Sequence, residues 1–355
     1  MHRLTPQALH FAHPEPPKEK SRIWPVFMPF MGCPFRCMYC AQHIQTGVKR
    51  GTTLDALYRD LRQQLHSAHE DGTKPLELAF YGGTFTALPE EWVFKFLDLV
   101  NDYKEKGFLT RIRCSTRPDS VEDELLKKLQ GKIDLIELGI QSFNDLTLSA
   151  SGRGYTAAVA HDACDRVKAH GFALAIQLLP ALPQNTEEIF AQDITETIAH
   201  SPEYVRLYPC VVLRGTALEQ DYLQGKYIAW DVPQATEAIG RALLPLWKAG
   251  IRVIRIGLPQ EEDLAENITV GPYHPALGQI ARSKALCEYV TQQVQRFRLE
   301  FGDFPTYLKV PTRWSGEFSG YRREMLEEYK AMGLEISYNV AQKFILGRED
   351  RLLLK

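Results

Sequence analysis

Strand-length apolar segments alternate with helix-length amphipathic segments over the first two thirds of the chain. In Thr53–Glu70, for example, Leu61 and Leu65 fall on one helical face with other leucines. Repeated strand–helix pairs predict a parallel sheet with helices outside it, because parallel neighbours need a crossover between them. The predicted strands are Ile23–Phe30, Leu76–Tyr81, Thr110–Cys114, Ile133–Ile140, Phe172–Leu179, Tyr204–Tyr208 and Ile251–Ile256.

The length of the alternating region separates two architectures. A closed eight-fold barrel usually needs about 250 residues, and the region from Ile23 to Leu258 is slightly shorter. We therefore expect an α/β fold with a partial, open-sided (β/α)6 barrel, and a full barrel is the alternative. After Leu258 a turn at Gly271–Pro275 precedes a long helical segment, Ala276–Phe297. The expected domains are an N-terminal extension (1–22), the barrel (23–258) and a small C-terminal α+β extension (259–355).

Composition restricts where the chain works and what it binds. Its 42 Lys and Arg residues against 44 Asp and Glu residues give a net charge of −2, so no global positive field attracts it to nucleic acid. The segment Met1–Arg22 lacks the apolar core of a signal peptide, and the apolar runs are too short to span a membrane. We therefore expect a cytoplasmic protein with no membrane contact. In a reducing compartment, clustered cysteines are metal ligands more often than disulfide partners.

Cys33, Cys37 and Cys40 form a C-x3-C-x2-C motif directly after the first predicted strand. The motif therefore lies on the first strand–helix loop, at the end of the barrel where active sites are built. Three thiolates hold three corners of a four-iron cluster and leave the fourth iron without a protein ligand. A zinc site completed by His43 and unligated thiols are the alternatives. The other cysteines are scattered and are expected to be buried small apolar residues: Cys114, Cys164, Cys210 and Cys287.

Polar motifs follow the other predicted strands at the same end of the barrel. A glycine pair lets a ligand approach the backbone closely, and buried polar side chains at strand ends need partners. Each motif also has a structural explanation: an ordinary turn, hydrogen bonding at the barrel mouth or a salt bridge. The motifs are Gly82-Gly83-Thr84, Ser115–Asp119, Glu137 with Gln141 and Ser142, Gly152-Arg153-Gly154, and Arg206 with Tyr208. In the C-terminal segment, His274 is either a substrate ligand or part of a turn that starts a helix.

The cysteine motif, with Tyr39 before its last cysteine, resembles the cluster motif of radical S-adenosylmethionine (radical SAM) enzymes. Gly82-Gly83-Thr84 resembles the motif with which that superfamily binds the methionine amine. Glu137–Asp145 and Gly152-Arg153-Gly154 resemble the catalytic subunit of Elongator, a tRNA wobble-uridine modifier, and more weakly oxygen-independent coproporphyrinogen III oxidase. Val205–Thr216 is closer to the Elongator subunit.

Two departures limit the resemblance to the Elongator subunit. That subunit has a wider spacing between its first two cluster cysteines than the spacing from Cys33 to Cys37. It also carries an acetyltransferase domain after its radical domain, whereas the segment after Gly257 shows no glycine-rich pyrophosphate loop of the acetyl-CoA type. Acetyl-CoA-dependent carboxymethylation of tRNA is therefore not carried over to this chain from the resemblance.

The resemblance implies a partial radical SAM barrel with two cofactors, a [4Fe-4S] cluster and S-adenosyl-L-methionine (SAM). Cys33, Cys37 and Cys40 would ligate iron, and the catalytic residues stay unidentified. A flavodoxin- or ferredoxin-type protein would supply electrons, and a 5′-deoxyadenosyl radical would take hydrogen from an unidentified substrate, for which tRNA is one candidate. The alternatives are an oxidoreductase for a small metabolite or tetrapyrrole, and a non-catalytic iron–sulfur or zinc protein. The implied cofactor-binding residues are Gly82, Gly83, Thr84, Glu137, Gln141, Ser142, Arg153 and Arg206.

Overall fold

The structure, a computed structural model, describes residues 7–17, 22–42, 44, 51–258 and 262–348. Within these residues the strands are β1 (Ala8–Phe11), β2 (Ile23–Phe27), β3 (Leu76–Tyr81), β4 (Leu109–Thr116), β5 (Leu135–Gln141), β6 (Ala173–Leu178), β7 (Tyr204–Leu207), β8 (Val212–Leu213), β9 (Arg252–Ile256), β10 (Ile268–Val270), β11 (Tyr307–Pro311), β12 (Glu335–Asn339) and β13 (Phe344–Gly347). The α-helices are α1 (Leu54–Glu70), α2 (Glu90–Glu105), α3 (Asp123–Leu129), α4 (Asp145–Ala150), α5 (Ala157–Ala169), α6 (Glu187–His200), α7 (Ala217–Leu223), α8 (Val232–Lys248), α9 (Glu262–Glu266), α10 (Leu277–Phe301), α11 (Ser315–Ser319) and α12 (Leu326–Ala331).

Seven strands form a curled half-barrel sheet in the order β2-β3-β4-β5-β6-β7-β9. Each neighbouring pair from β2 to β7 is parallel. The sheet is open in the described part of the chain, because β2 and β9 end it and do not pair with each other. The predicted α/β fold with a partial barrel is therefore confirmed, and the full barrel is not formed.

The sequence explains locally why these strands and helices form. Strands β3 and β5 are buried along almost their whole length, as parallel strands covered on both faces are. Helix α1 begins after Thr53, whose hydroxyl accepts the N–H of Ala56 at 3.2 Å, and it buries Leu61 and Leu65. Because the strands are parallel, the loops that leave their carboxyl ends meet at one edge of the sheet.

The described chain divides into two compact units. The barrel unit comprises Pro17–Asp231 and Val253–Tyr273, and the terminal unit comprises Met1–Pro16, Val232–Arg252 and His274–Lys355. The terminal unit contains the four-stranded sheet β1-β13-β11-β12, and its core joins α10 to this sheet. Strand β1 and helix α8 thus belong to the same unit as the C-terminal segment. The domain boundaries 1–22, 23–258 and 259–355 stay a prediction.

His274 lies in the turn that leads into α10. Its carbonyl accepts the N–H of Leu277 at 3.0 Å, and its Nδ1 accepts the N–H of Ala276 at 3.0 Å. The ring also packs edge-on against Tyr321. These contacts agree with the interpretation of His274 as part of a helix-starting turn.

Across the residues that the structure describes, no helix combines the length and the apolar character that a membrane span requires.

Candidate active site

A cavity of about 480 Å³ opens at the carboxyl ends of the strands, within the barrel unit. Its wall brings together the cysteine loop after β2, the glycine turn after β3 and side chains of β4, β5 and β7. The predicted site residues line it except Thr84 and Ser142, which are fully buried beside it. The lining residues among those predicted are Cys33, Cys37, Cys40, Gly82, Gly83, Glu137, Gln141, Arg153 and Arg206.

The three clustered cysteines are free thiols that face this cavity. The loop is folded by short-range backbone bonds, from Cys33 N–H to the Phe30 carbonyl and from Cys40 N–H to the Cys37 carbonyl. Burial raises the pKa of the Cys33 thiol, although the Thr84 hydroxyl, 3.3 Å from its sulfur, opposes the shift. Burial also raises the pKa of Cys40 to about 12. Without a bound cation these two thiols are therefore protonated at neutral pH, and metal binding must displace their protons.

Two guanidinium groups approach the sulfur of Cys37. Arg153 is buried, and its Nη1 lies 3.1 Å from Cys37 Sγ; the Nη1 of Arg117 lies 3.8 Å from the same atom. Arg117 is balanced by Asp119, to which it donates two hydrogen bonds of 2.8–2.9 Å. One positive charge therefore remains beside Cys37 to stabilise an anionic sulfur.

Three free thiols on one cavity, with N–H donors at one sulfur, fit a cysteine-held iron–sulfur cluster, whose properties depend on charge and on hydrogen bonds to sulfur. A single-ion site is a different arrangement: in the described ranges no three His, Cys, Asp or Glu side chains are grouped to hold one metal ion. His43, the fourth ligand of the zinc alternative, lies outside the described residues.

The Gly152-Arg153-Gly154 turn packs directly on the cysteine loop. The N–H of Met38 donates to the carbonyl of Ser151 at 3.3 Å, and Gly154 has a positive φ of 76°. A Cβ on Gly154 would lie only 2.9 Å from the ring of Phe35. The side chain of Arg153 also donates to the carbonyl of Gly139 on β5, so this arginine joins the cysteine loop to the sheet.

The glycine turn is pressed against the other side of the cysteine loop. Gly82 and Gly83 have φ values of 72° and 61°, and a Cβ on Gly83 would lie 2.2 Å from the carbonyl oxygen of Met31. Only glycine fits this contact without movement of the loop. The N–H of Gly83 donates to Oε1 of Gln42 at 2.8 Å, and the N–H of Phe30 donates to the same oxygen.

Glu137 is buried on the inner face of the sheet and is fully engaged by the protein. Its Oε1 accepts bonds from Arg113 at 2.6 and 3.0 Å and from the hydroxyl of Tyr81 at 2.8 Å. Its Oε2 accepts Nε of Arg206 at 2.7 Å. Burial acts to raise the pKa of Glu137, but the attraction of Arg206 and Arg113 outweighs burial and lowers it. The carboxylate is therefore ionised at neutral pH and holds Arg206 in place.

The end of β5 is irregular at Gln141, which has a positive φ of 71° beside a break in the strand register. Its side-chain oxygen accepts a bond from Gln177 at 3.3 Å. Ser142, the next residue, turns its hydroxyl to Asp193 at 2.9 Å and does not line the cavity. Burial raises the pKa of Asp193 to about 6, despite the hydrogen bonds from the Phe143 N–H and from Ser142.

Three residues of the site, Arg117, Arg113 and Gln42, were not among the cofactor-binding or metal-binding residues predicted from the sequence. Arg117 lies in the Ser115–Asp119 motif, so a local signal for it exists. Arg113 is a buried charged residue in β4, most of whose residues are buried. A charged residue in a strand marks a site only once the strand is known to be covered on both faces, so the sequence alone did not identify it. Gln42 has no motif beyond its position two residues after Cys40.

Two family models match the chain. The model described as the Radical SAM superfamily matches residues 27–195, and the one described as the Radical_SAM C-terminal domain matches residues 202–286. Elongator complex protein 3 of Mus musculus is 30% identical over 218 residues, which cover 55% of this chain and 39% of that protein. The tRNA uridine(34) acetyltransferase of Methanocaldococcus infernus is 26% identical over 223 residues, which cover 56% of this chain and 42% of that protein.

A solved structure resembles the fold. The archaeal Methanocaldococcus infernus Elp3 with an N-terminal deletion superposes with a TM-score of 0.58 at 22% identity, covering 80% of this chain and 69% of that chain. This likeness concerns the fold alone, and it agrees with the half-barrel described above. The chain spans about two fifths of the length of the two curated relatives. The predicted resemblance to the radical SAM superfamily and to the Elongator subunit is confirmed.

Proposed function

The chain belongs to the radical SAM superfamily, and we propose that it is an enzyme that cleaves SAM reductively and abstracts a hydrogen atom from a substrate in the barrel cavity. Its cofactors are a [4Fe-4S] cluster and SAM. The single observation that carries the proposal is the convergence of three free thiols and the Gly82-Gly83 turn on one cavity. When bound, the cluster and SAM supply one-electron cleavage of the sulfonium carbon–sulfur bond, which yields methionine and a 5′-deoxyadenosyl radical.

We assign Cys33, Cys37 and Cys40 as the ligands of three irons. Arg153 donates to the sulfur of Cys37 and compensates the negative charge of the ligand set. The hydroxyl of Thr84, which is fully buried, holds the sulfur of Cys33 in position. These contacts fix the ligands before a cofactor binds, which reduces the free-energy cost of ordering the loop.

We assign the remaining predicted residues to SAM by their position on the cavity. Gly82, Gly83 and Gln141 line the cavity; we assign the backbone of the two glycines to the methionine end of SAM and Gln141 to its ribose and adenine side. Glu137 acts through Arg206, because both of its oxygens are already occupied. Ser142 acts through Asp193, which anchors the turn after β5. Phe27 and Phe30 belong to the apolar part of the cavity wall and exclude water from the bound cofactor.

Formation of 5′-deoxyadenosine tests this proposal. The chain, reconstituted with iron and sulfide under anaerobic conditions and given a strong reductant, is expected to convert SAM to 5′-deoxyadenosine and methionine, measured by mass spectrometry. Cys37→Ala is expected to lose the cluster absorption and this product. Cys164→Ala, a change at a fully buried thiol on α5, is the matched control and is expected to retain both. No product from the wild-type chain would favour a non-catalytic iron–sulfur or zinc protein.

For the substrate, we propose tRNA as the first candidate. The support is the resemblance to a relative that is named a tRNA uridine(34) acetyltransferase. A flavodoxin- or ferredoxin-type protein is the proposed electron donor. Acetyl transfer is not part of the proposal, since the matched region covers 42% of that relative.

A small metabolite or tetrapyrrole is the second candidate substrate. The observation in its favour is the net charge of −2, because a chain without an excess of positive charge has no global field that attracts nucleic acid. Comparison of the metabolites and of the RNA nucleosides of a deletion strain with those of its parent, by mass spectrometry, separates the two candidates. A missing modified nucleoside supports tRNA, and a changed metabolite with unchanged nucleosides supports the oxidoreductase.

A further inference from the structure

Gln42 joins the two halves of the proposed cofactor site. Its single side-chain oxygen accepts the N–H of Phe30, at the start of the cysteine loop, and the N–H of Gly83, in the glycine turn. We propose that Gln42 is a positioning residue that orients the Gly82–Gly83 peptide toward the amino group of SAM. This inference rests on the proposed function.

The hydrogen bonds fix which end of the Gln42 amide faces the backbone. Both partners are N–H donors, so only the carbonyl oxygen of the side chain can accept them, and these two bonds use its two lone pairs. The amide therefore has one orientation, and its oxygen occupies one point between the loop and the turn.

Both backbone groups that Gln42 holds belong to residues in the left-handed region. Phe30 has φ of 59° and Gly83 has φ of 61°. For a residue other than glycine this conformation is sterically unfavourable, and it persists where the surroundings impose it. The bond from Phe30 to Gln42 is one such constraint.

Peptide geometry connects Gln42 to the ligand. The N–H of Gly83 and the carbonyl of Gly82 belong to the same peptide unit, and the described chain contains no cis peptide bond. In a trans unit these two groups point in opposite directions. Gln42 therefore turns the Gly82 carbonyl away from itself, and Gly82, Gly83 and Gln42 all line the cavity. A carbonyl oxygen is an acceptor that matches the three N–H donors of an ammonium group.

The turn and the loop cannot adjust independently. The N–H of Thr84 donates to the carbonyl of Met31 at 2.7 Å, and Cβ positions on Gly32 and Gly83 would each lie 2.2 Å from a carbonyl oxygen of the opposite segment. Removal of the Gln42 oxygen leaves this packing in place but frees the Gly82–Gly83 peptide to rotate. We therefore expect a specific loss of SAM affinity with the cluster retained.

The test compares Gln42→Met, which keeps the side-chain volume and removes the acceptor, with Gln42→Glu, which keeps an acceptor. Both full-length proteins are reconstituted with the cluster, and SAM itself is the probe. Iron and sulfide content is measured first, then the Kd of SAM by equilibrium dialysis with the cluster oxidised, so that no turnover occurs. The electron paramagnetic resonance signal of the reduced cluster is recorded with and without SAM.

In Q42M we expect full iron content, a Kd for SAM raised roughly tenfold, as loss of one hydrogen bond to a charged or buried group gives, and a smaller spectral response to SAM. In Q42E we expect a Kd within about twofold of the wild type. Gln42→Asn, whose shorter side chain withdraws its oxygen from Gly83, is measured in parallel and is expected to behave like Q42M, so a misfolded Q42M does not decide the result.

Three results would overturn the inference: a wild-type Kd in Q42M and Q42N, an equal loss of affinity in Q42E and Q42M, or a loss of iron from Q42M that accounts for its weaker binding. The last of these would show that Gln42 supports only the cysteine loop. If the wild-type chain with a full cluster does not bind SAM, the proposed function fails and takes this inference with it.

Discussion

The carboxylate of Glu137 lies between two guanidinium groups in the interior of the half-barrel. Glu137→Gln keeps the shape of the side chain but removes the carboxylate that pairs with Arg206, whereas Arg113 keeps its buried ion pair with Glu77 at 2.9 Å. We expect the free energy of unfolding to fall by about 3–5 kcal/mol, because breaking one partner of a buried ion pair exposes this imbalance. Urea denaturation at neutral pH measures the change. Since the pKa of Glu137 is lowered in the fold, its contribution is complete at neutral pH and is lost as the pH falls through that lowered pKa.

Glu203→Gln is the matched control for this prediction. Glu203 also pairs with an arginine of β4, Arg111, at 2.7 Å, but its side chain is 40% exposed. An exposed pair contributes about 0–1 kcal/mol, so the variant should unfold close to the wild type. Equal losses in the two variants would contradict the assignment of Glu137 as a buried structural charge that holds Arg206.

At the scale of elements, the turn after β3 offers two adjacent glycines with different surroundings. Gly82 and Gly83 both have positive φ, but a Cβ on Gly82 meets nothing closer than 3.5 Å, whereas a Cβ on Gly83 lies 2.2 and 2.5 Å from the carbonyl oxygens of Met31 and Met28. Gly82→Ala should cost roughly 1–2 kcal/mol from the backbone alone. Gly83→Ala should in addition push the cysteine loop away, with loss of iron and of SAM binding.

Iron content and the Kd of SAM, measured for both alanine variants after anaerobic reconstitution, check this prediction. The expected result is a cluster-loaded Gly82→Ala protein and an iron-poor Gly83→Ala protein. A Gly83→Ala variant that binds iron and SAM as well as Gly82→Ala would show that the turn and the cysteine loop are not tightly packed against each other.

The same elements show what the sequence alone predicts. Cys33 to Cys40 and Gly82-Gly83 are local motifs, and strand–helix alternation puts their loops at one edge of the sheet, so their meeting was predictable. Arg113 and Glu137 are far apart in sequence, and the register of β4 with β5 brings them together. No local pattern contains that register. The unit to which helix α8 belongs could not be predicted either. An amphipathic pattern predicts that one face of a helix is buried, but not which of the two units buries it.

At the scale of the whole molecule, the question is whether a chain with a net charge of −2 binds tRNA. Any such binding depends on local clusters of cations. Several basic residues of the C-terminal segment are neutralised by glutamates in the structure: Arg282 pairs with Glu15 and Glu317, and Lys284 pairs with Glu237. Arg313, Arg322 and Arg323, by contrast, are exposed, and Arg313 and Arg322 lie beside the rings of Trp314 and Tyr321.

If tRNA is the substrate, its binding should weaken with salt, because protein cations displace counterions from phosphates. Replacing Arg313, Arg322 and Arg323 by Gln should reduce the slope of log K against log salt concentration by about 0.7–0.9 for each phosphate that the protein no longer neutralises. Fluorescence anisotropy with labelled tRNA at several salt concentrations measures the slopes of the wild type and the variant.

The matched control replaces three surface cations of the barrel unit by Gln: Arg59, Lys127 and Lys128. These cations already pair with carboxylates, so the control should leave the slope unchanged. Because non-specific contacts are strongest at low salt, a wild-type chain that binds no tRNA even there would exclude tRNA as the substrate and leave the small-molecule oxidoreductase as the remaining radical SAM candidate.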